Sequence, residues 1–219
     1  MKSLPSRQGG FTLVEIAIVL VIIGLLLGGV LKGTELIENS KVKRAASELN
    51  GVAAAYHSYI DRYSRVPGDD GLVGTLQARG GAWSQVTQGG DGNGVLRSNR
   101  NEAFNGGGEG TAFWQHLKAA GFIKGDPGLE DAAALPRNAF GGLIGVTNQS
   151  MGGGLNGMKA CMSQVPGKSA AALDSQLDDG RGQAGNIRAT SGTGNTTPSN
   201  NVLAADYSED TQYTICMKL

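Results

Sequence analysis

The sequence predicts an α+β fold in which one long N-terminal α-helix packs on a small antiparallel β-sheet. Three observations lead to this prediction. An apolar run from Phe11 to Leu31 continues directly into an amphipathic stripe, no proline follows Pro5 until Pro67, and the last third of the chain contains β-rich segments. An amphipathic helix must bury its apolar stripe, and the face of a sheet is one surface that can cover it.

The composition limits the function classes. The chain has 219 residues with 19 basic and 19 acidic side chains, so its formal net charge is zero. That length suits one domain with a modest core, and the neutral balance gives no electrostatic argument for nucleic acid as the main partner. Glycine accounts for 36 residues, about twice its usual frequency, which indicates a loop-rich domain.

The N-terminus predicts a membrane anchor. Residues 1–10 contain Lys2 and Arg7 and no acid, and the apolar run from Phe11 to Leu31 follows. About 20 apolar residues span a bilayer as a helix, and basic residues before the span predict a cytoplasmic N-terminus and an exported remainder. No small-residue cleavage site follows Leu31, whereas Gly9 and Gly10 precede the run. A cut there would leave the membrane segment attached to the mature chain.

After Leu31 the apolar residues narrow to a stripe at steps of three and four, the spacing of one helix face. The stripe consists of Leu36, Ile37, Val42, Ala45, Ala46, Leu49, Val52, Ala53, Tyr56, Tyr59, Ile60 and Tyr63. We therefore predict one nearly continuous helix from about Phe11 to Tyr63, ending before Pro67. Residues 11–31 would be its membrane-spanning half, 32–66 its amphipathic continuation and 67–219 a globular α+β domain.

Within the domain, residues 67–136 form a glycine-rich loop region with one short amphipathic helix, Thr111–Ile123. Residues 137–219 form the sheet and the C-terminal region. Segments 139–149, 158–165 and 211–219 are β-rich, with a shorter candidate strand at 185–189. Residues 168–180 indicate another short helix. Residues 189–201 are low in complexity and indicate a loop.

The residues Gly10-Phe11-Thr12-Leu13-Val14-Glu15, after a short basic leader and directly before the apolar run, resemble the type IV pilin-like proteins. This family includes pilins and the pseudopilins of type II secretion. The resemblance is specific over about the first 63 residues, and it implies the pilin-like fold. Many pilins have a proline late in the apolar run, and this chain has none there. Gly24, Gly28, Gly29 and Gly33 either soften the helix or allow close helix packing.

The resemblance implies a processing site. A membrane prepilin peptidase would cut between Gly10 and Phe11 and then N-methylate Phe11. Residues 1–10 would thus be a cleaved leader. Glycine suits a protease site because it lets the extended backbone approach closely. The mature chain would wait in the bacterial inner membrane with its domain in the periplasm. An assembly ATPase and a platform protein would then build a filament from its N-terminal helices.

Glu15 is a carboxylate within the apolar run, where a charge costs roughly 3 kcal/mol or more at the middle of a bilayer. Cleavage after Gly10 would give Phe11 a cationic α-amine. Glu15 could partly satisfy its own terminus, and the resemblance implies a more important pairing with the terminus of a neighbouring subunit. Such pairing offsets the cost of burying the carboxylate. Glu15 is thus the predicted assembly residue; the alternative is that it reaches the membrane interface.

Cys161 and Cys216 are the two cysteines of the chain. In an oxidising periplasm they are expected to form a disulfide, and pilin domains often close their C-terminal region in this way. The alternative is a pair of buried free thiols.

Calcium is a weaker expectation, and no other cofactor is expected. Asp91, Asn93 and Glu102 faintly resemble an EF-hand loop, although Val95 and Leu96 stand where a ligand and a glycine are required. Asp174, Asp178 and Asp179 form a second acidic cluster in the C-terminal region, where some pseudopilins bind calcium. Turn formation and solvated helix ends are the favoured explanation of both clusters. His57 and His116 lack a catalytic motif around them and are predicted to be structural or exposed.

The leading prediction is a structural filament subunit without catalysis, in a type IV pilus or a type II secretion pseudopilus. Its partners would be other subunits, the prepilin peptidase, the assembly machinery and the inner membrane. A second possibility is a minor pilin that binds DNA or a surface through basic side chains such as Arg97, Arg100, Arg181 and Arg188, without the aromatic residues that nucleic-acid binding favours. A third is a membrane-anchored periplasmic enzyme, which leaves the leader and Glu15 unexplained.

Overall fold

The computed structural model describes residue 10, residues 12–200 and residues 206–219. The chain divides into two compact units, Met1–Ser40 and Lys41–Leu219. Helix α1 extends from Leu13 to Tyr63, which confirms the predicted long helix and its end before Pro67. Phe11, where that helix was expected to begin, lies outside the described residues.

In the N-terminal unit, α1 exposes all of its large apolar side chains between Leu13 and Leu31. Among the described residues, α1 is the one helix long and apolar enough to cross a membrane. Leu36 and Ile37 are 60% and 59% exposed, so placing them on the buried stripe was wrong. They belong to a unit that, as far as it is described, has no second element to cover them.

In the C-terminal unit, the rest of the predicted stripe packs against the domain, with Ala53, Tyr56, Ile60 and Tyr63 only half-buried, and Ala55 joins the buried residues. The buried residues of this helix are Val42, Ala45, Ala46, Leu49, Val52, Ala55 and Tyr59. They pack in one hydrophobic core with side chains of the sheet and of the segment between α1 and the sheet. Leu49, Tyr59, Phe113, Trp114 and Ile215 are among its largest fully buried side chains. The helix thus packs on an α+β domain as the sequence predicted.

Four antiparallel strands form the sheet: β1 (Ile144–Thr147), β2 (Lys159–Pro166), β3 (Ile187–Ser191) and β4 (Gln212–Lys218). Their order is β1-β2-β4-β3, so the C-terminal strand lies in the centre. Ile144 pairs with Met162, and Cys216 pairs with both Cys161 and Arg188. A bulge interrupts β2 between Met162 and Val165.

Other parts of the chain cover the two edge strands, β1 and β3. This cover protects the backbone groups of the edge strands from pairing with strands of other chains. At β1, Ser98 Oγ donates a hydrogen bond to Val146 O over 2.7 Å, and Thr147 Oγ1 donates to Ser98 O over 2.8 Å. A Cβ on Gly145 would lie 1.7 Å from Ala103 O, so the close approach here requires glycine. At β3, Ala189 N donates to Gly182 O over 2.9 Å.

The segment between α1 and the sheet contains more helix than the sequence predicted. Besides α3 (Gly108–Ala119), it contains α2 (Val73–Gln77), α4 (Asp131–Ala134) and 3₁₀ turns at Gly81–Gln85 and Arg100–Glu102. Helix α3 begins and ends earlier than the predicted Thr111–Ile123. Its first turn contains Glu109, whose charge complements the helix dipole. The second predicted short helix is α5 (Gly167–Leu177).

Candidate functional site at the start of the N-terminal helix

The predicted processing site lies at the edge of the described structure. Gly10 is exposed and lies outside the helix, and a Cβ at this position would meet no atom within 4 Å. Packing within the described chain therefore does not require glycine here. Phe11, Gly9 and the basic residues Lys2 and Arg7 lie outside the described residues.

Thr12 and Glu15 form a reciprocal cap at the start of α1. The Thr12 amide and hydroxyl donate hydrogen bonds to Glu15 Oε2 over 2.8 and 2.9 Å, and Glu15 N donates to Thr12 Oγ1 over 3.2 Å. This arrangement is a capping box, which satisfies backbone donors that a helix start otherwise leaves free. The capping role of Thr12 was not predicted, although the spacing Thr-x-x-Glu before an apolar run is the signature of such a cap.

The cap binds one carboxylate oxygen of Glu15. Both hydrogen bonds from Thr12 reach Oε2; within the described part of the chain, Oε1 accepts none. The side chains around it are apolar, and Leu13 and Val14 are 87% and 66% exposed. The arrangement can therefore hold the carboxylate at the helix start while one oxygen stays open to a second donor.

The predicted disulfide is present. Cys161 and Cys216 face each other on β2 and β4, and their sulfur atoms are 2.06 Å apart. Both residues are fully buried. The bridge joins positions separated by 55 residues, so it fastens the C-terminal strand in the centre of the sheet, and the alternative of free thiols is wrong.

The acidic residues near Asp91 come together in a way that the EF-hand pattern did not predict. Ligand atoms of Asp69, Asp91 and Glu109 lie within 4.8 Å of one another. Glu102 instead accepts a hydrogen bond from Asn99 N over 2.9 Å and so caps the 3₁₀ turn at 100–102. The prediction that Glu102 shares a calcium site with Asp91 was therefore wrong. The Asn93 side chain accepts a hydrogen bond from Val95 N over 2.8 Å.

These three carboxylates offer oxygen ligands of the kind that calcium prefers, and their backbone donors also explain their positions. Buried Asp69 accepts hydrogen bonds from Gly92 N and Gly94 N, each over 2.6 Å. Burial, together with the charges of Asp69 and Asp91, raises the pKa of Glu109. Calcium binding here stays a prediction.

The second acidic cluster, Asp174, Asp178 and Asp179, also has ligand atoms within 4.8 Å of one another. Asp174 is fully buried, which raises its pKa, and it accepts a hydrogen bond from the Tyr207 hydroxyl over 2.5 Å. Asp178 accepts hydrogen bonds from Asn186 N and Ile187 N over 2.5 and 2.9 Å. The cluster thus orders the loop that leads into β3, and a calcium ion here also stays a prediction.

The four arginines considered for DNA binding have different surroundings. Arg188 is buried and donates to backbone carbonyls, including Gly152 O at 2.7 Å. Arg97 pairs with Asp91 over 3.4 Å, and Arg100 donates to Ser150 O over 2.6 Å. Arg181 is exposed. Three of the four guanidinium groups therefore already have partners within the chain, which weakens the DNA-binding alternative.

Comparison with known proteins agrees with the N-terminal features. Residues 5–31 match the prokaryotic N-terminal methylation motif. No curated protein sequence matches the chain. Among solved structures, the chain is similar to TcpA, a type IV pilin from Vibrio cholerae El Tor biotype, with 11% identity, a TM-score of 0.38, and coverage of 81% of this chain and 98% of TcpA.

A second similar structure is a type IV b pilin from Salmonella typhi. It shares 22% identity with a TM-score of 0.29, and the match covers 50% of this chain and 79% of that pilin. Both similarities are too distant to bear on function. The described chain thus combines the N-terminal methylation motif with a long apolar helix and an antiparallel sheet.

Proposed function

We propose that this chain is made as a precursor, cut between Gly10 and Phe11, N-methylated at Phe11 and assembled into a filament through α1. The observation that supports this most directly is the match of residues 5–31 to the N-terminal methylation motif. Gly10 is exposed, and a Cβ built on it would meet no atom of the described residues within 4 Å, which supports access by a peptidase. In the part of its own unit that the structure describes, no element covers the apolar side chains of α1, which suits a segment that passes from lipid into contact with other helices.

The proposed topology places the leader in the cytoplasm and the globular unit in the periplasm. Lys2 and Arg7 precede the apolar run, and basic residues favour the cytoplasmic side. The Cys161–Cys216 disulfide is consistent with an oxidising compartment on the other side. The chain would be a single-pass protein of the bacterial inner membrane before assembly, with the prepilin peptidase, platform protein and ATPase as its partners.

Glu15 is the proposed assembly residue. Thr12 donates two hydrogen bonds to Oε2 of Glu15. Oε1 would accept a hydrogen bond from the cationic α-amine of Phe11 in a neighbouring subunit. A carboxylate in an apolar surrounding gains most from a fully charged partner. The capping box would thus hold the carboxylate in place before the neighbour arrives and remain formed afterwards.

The decisive experiment is mass spectrometry of the native N-terminus. The proposal predicts a mature chain that begins at Phe11 and carries one additional methyl group. A chain that begins at Met1, or one cut after Leu31, would contradict it. Gly10→Val should block cleavage because it adds a branched side chain at the scissile bond, while Gly9→Val, one position away, is the matched control.

A second experiment separates the two filament systems. In the native host, deletion of the gene should abolish either surface filaments or the secretion of exported enzymes. Loss of surface filaments with normal secretion indicates a type IV pilus. The reverse outcome indicates a type II secretion pseudopilus.

A further inference from the structure

A polar pocket of about 370 Å³ lies in the C-terminal unit and shares no residue with the sites assigned to processing and assembly. All of its lining residues have hydrogen-bonding side chains: Asn99, Arg100, Asn101, Gln149 and Thr197. Arg100 is half-buried and the other four are exposed, so a dissolved molecule can reach them. The volume is near the lower end of the range for small-molecule sites and suits a single sugar-sized ring.

Hydrogen bonds hold the three segments that form the pocket. Gln149, which follows β1, donates from Nε2 to Asn99 Oδ1 over 3.5 Å. The loop that contains Thr197 is fixed to the centre of the sheet, where Thr214 Oγ1 of β4 donates to Thr196 O over 2.6 Å. The walls are therefore largely in place before a ligand arrives, which lowers the entropic cost of binding.

Arg100 is the one charged residue among those that line the pocket. Its Nη1 donates a hydrogen bond to Ser150 O over 2.6 Å. Within the described part of the chain, its Nε and Nη2 donate none. These two groups form a planar fork that can bind a carboxylate through two parallel hydrogen bonds. The nearby acid Glu102 accepts a hydrogen bond from Asn99 N and does not line the pocket.

Arg100 belongs to a group of three cations around Lys159. Burial, then the charges of Lys218 and Arg100, lower the pKa of Lys159, which shows that like charges lie near one another here. Lys159 is fully buried, so it would act on a ligand only through its electric field. Within the described structure, none of the three cations forms an ion pair with a carboxylate. An anion bound at Arg100 would therefore offset a local excess of positive charge.

We propose that this pocket binds an acidic monosaccharide, that is, a hydroxylated ring with one carboxylate. The free edge of the Arg100 guanidinium would bind the carboxylate. The amides of Asn99, Asn101 and Gln149 would bind ring hydroxyls, because an amide can both donate and accept hydrogen bonds. The Thr197 hydroxyl offers one more such group. The proposal rests on the C-terminal unit alone and does not depend on how the chain is processed or assembled.

Methyl glucuronide and methyl glucoside form a matched pair of probes, since they share the same ring and only the glucuronide has a carboxylate. The full chain would be placed in nanodiscs of zwitterionic lipid with isotope-labelled threonine methyl groups, and the Thr197 methyl signal would be assigned with Thr197→Ser. We expect the glucuronide to shift this signal saturably. The glucoside should bind about ten-fold more weakly, because it lacks the charge-assisted hydrogen bonds to Arg100. Acetate, which has the charge without the ring, should also bind about ten-fold more weakly.

Two variants identify the partner of the carboxylate. Arg100→Gln should bring the glucuronide and the glucoside within about two-fold of each other, whereas Arg97→Gln, a change at an exposed arginine outside the lining, should keep the ten-fold preference. Loss of the preference in both variants would contradict the role of Arg100.

The unaltered chain tests the proposal even if Arg100→Gln fails to fold. If the glucuronide causes no saturable shift, or binds no more tightly than the glucoside, the proposal is wrong. If acetate binds as tightly as the glucuronide, the pocket accepts any small carboxylate and the assignment to a sugar is wrong.

Discussion

The hydroxyl of Tyr59 donates a hydrogen bond to Asp70 Oδ2 over 2.5 Å, and both residues are buried. The same carboxylate accepts two hydrogen bonds from the Arg79 guanidinium, over 2.6 and 3.0 Å. That guanidinium lies 5.1 Å from the ring centre of Tyr63 and 4.6 Å from that of Trp83. The end of α1 is thereby joined to the segment after Pro67 through one buried carboxylate.

Tyr59→Phe should destabilise the globular unit by about 1.5–3 kcal/mol, because it removes a hydrogen bond to a charged group and keeps the ring. Chemical denaturation followed by tryptophan fluorescence measures this change. Tyr63→Phe is the matched control, since in the described structure the Tyr63 hydroxyl makes no hydrogen bond. It should alter the free energy of unfolding by less than about 0.5 kcal/mol. Equal effects of the two changes would contradict the role of Asp70.

Because His116 is buried, we expect the free energy of unfolding to fall in mild acid. The imidazole is buried, accepts a hydrogen bond from Gly68 N at Nδ1 over 2.9 Å, and lies with Nε2 3.2 Å from Gln88 O. Nε2 therefore carries the proton of the neutral ring and donates. Burial lowers the pKa of His116 to about 4. This group contributes stability that is complete above the unfolded pKa of about 6.5 and is lost as pH falls towards 4.

The measurement is the free energy of unfolding between pH 7 and pH 5 for the unaltered chain and for His116→Asn, which retains a polar amide and does not titrate. The slope of the unaltered chain should exceed that of the variant by an amount that approaches about 1.4 kcal/mol per pH unit below pH 6. Since other titrating groups contribute to both proteins, the difference between the two slopes reports His116. Identical slopes would show that His116 is not buried in its neutral form.

Because Lys159 is buried, we expect the free energy of unfolding to change at alkaline pH. Its side chain is fully buried, and Nζ donates to Gly157 O over 2.5 Å and to Leu155 O over 3.5 Å. Burial, then the charges of Lys218 and Arg100, lower the pKa of Lys159 to about 8. Stability from this group is complete above the unfolded pKa of about 10.4 and is lost as pH falls through about 8. The free energy of unfolding should rise from pH 8 to 9.5, and Lys159→Met should remove that rise.

Removing the disulfide should destabilise the globular unit by about 4 kcal/mol in the chain-entropy model, given the separation of 55 residues. The double variant Cys161→Ala, Cys216→Ala leaves no free thiol that could form other bridges. Its unfolding midpoint in denaturant should fall, and a reducing agent should lower the midpoint of the unaltered chain and have no effect on the variant. An unchanged midpoint in the variant would show that strand pairing alone holds β4.

Local signals predicted much of this fold, and long-range contacts account for what they missed. The helix and its end at Tyr63 followed from the apolar spacing and Pro67, and the four strand segments followed from their β-rich composition. The approach of Asp69 to Glu109 depends on how the loops fold over α3, which no local pattern encodes. The Thr12 cap is different, because its signature was present in the sequence, while the charge of Glu15 suggested an α-amine as its partner, either that of its own Phe11 or that of a neighbouring subunit.

Glu15→Gln separates the two roles of the Glu15 side chain. The amide oxygen of glutamine can still accept the hydrogen bonds from Thr12, while the negative charge that would attract a neighbour's α-amine is absent. If charge pairing drives assembly, both Glu15→Gln and Glu15→Val should be cleaved and inserted normally and yield few filaments. Thr12→Val removes the hydroxyl from the cap and keeps the charge, so it should assemble far better than either. Filament yield after shearing, compared with the amount of processed subunit in the membrane, measures this. Normal filaments from Glu15→Gln would show that capping, rather than charge, is what assembly requires.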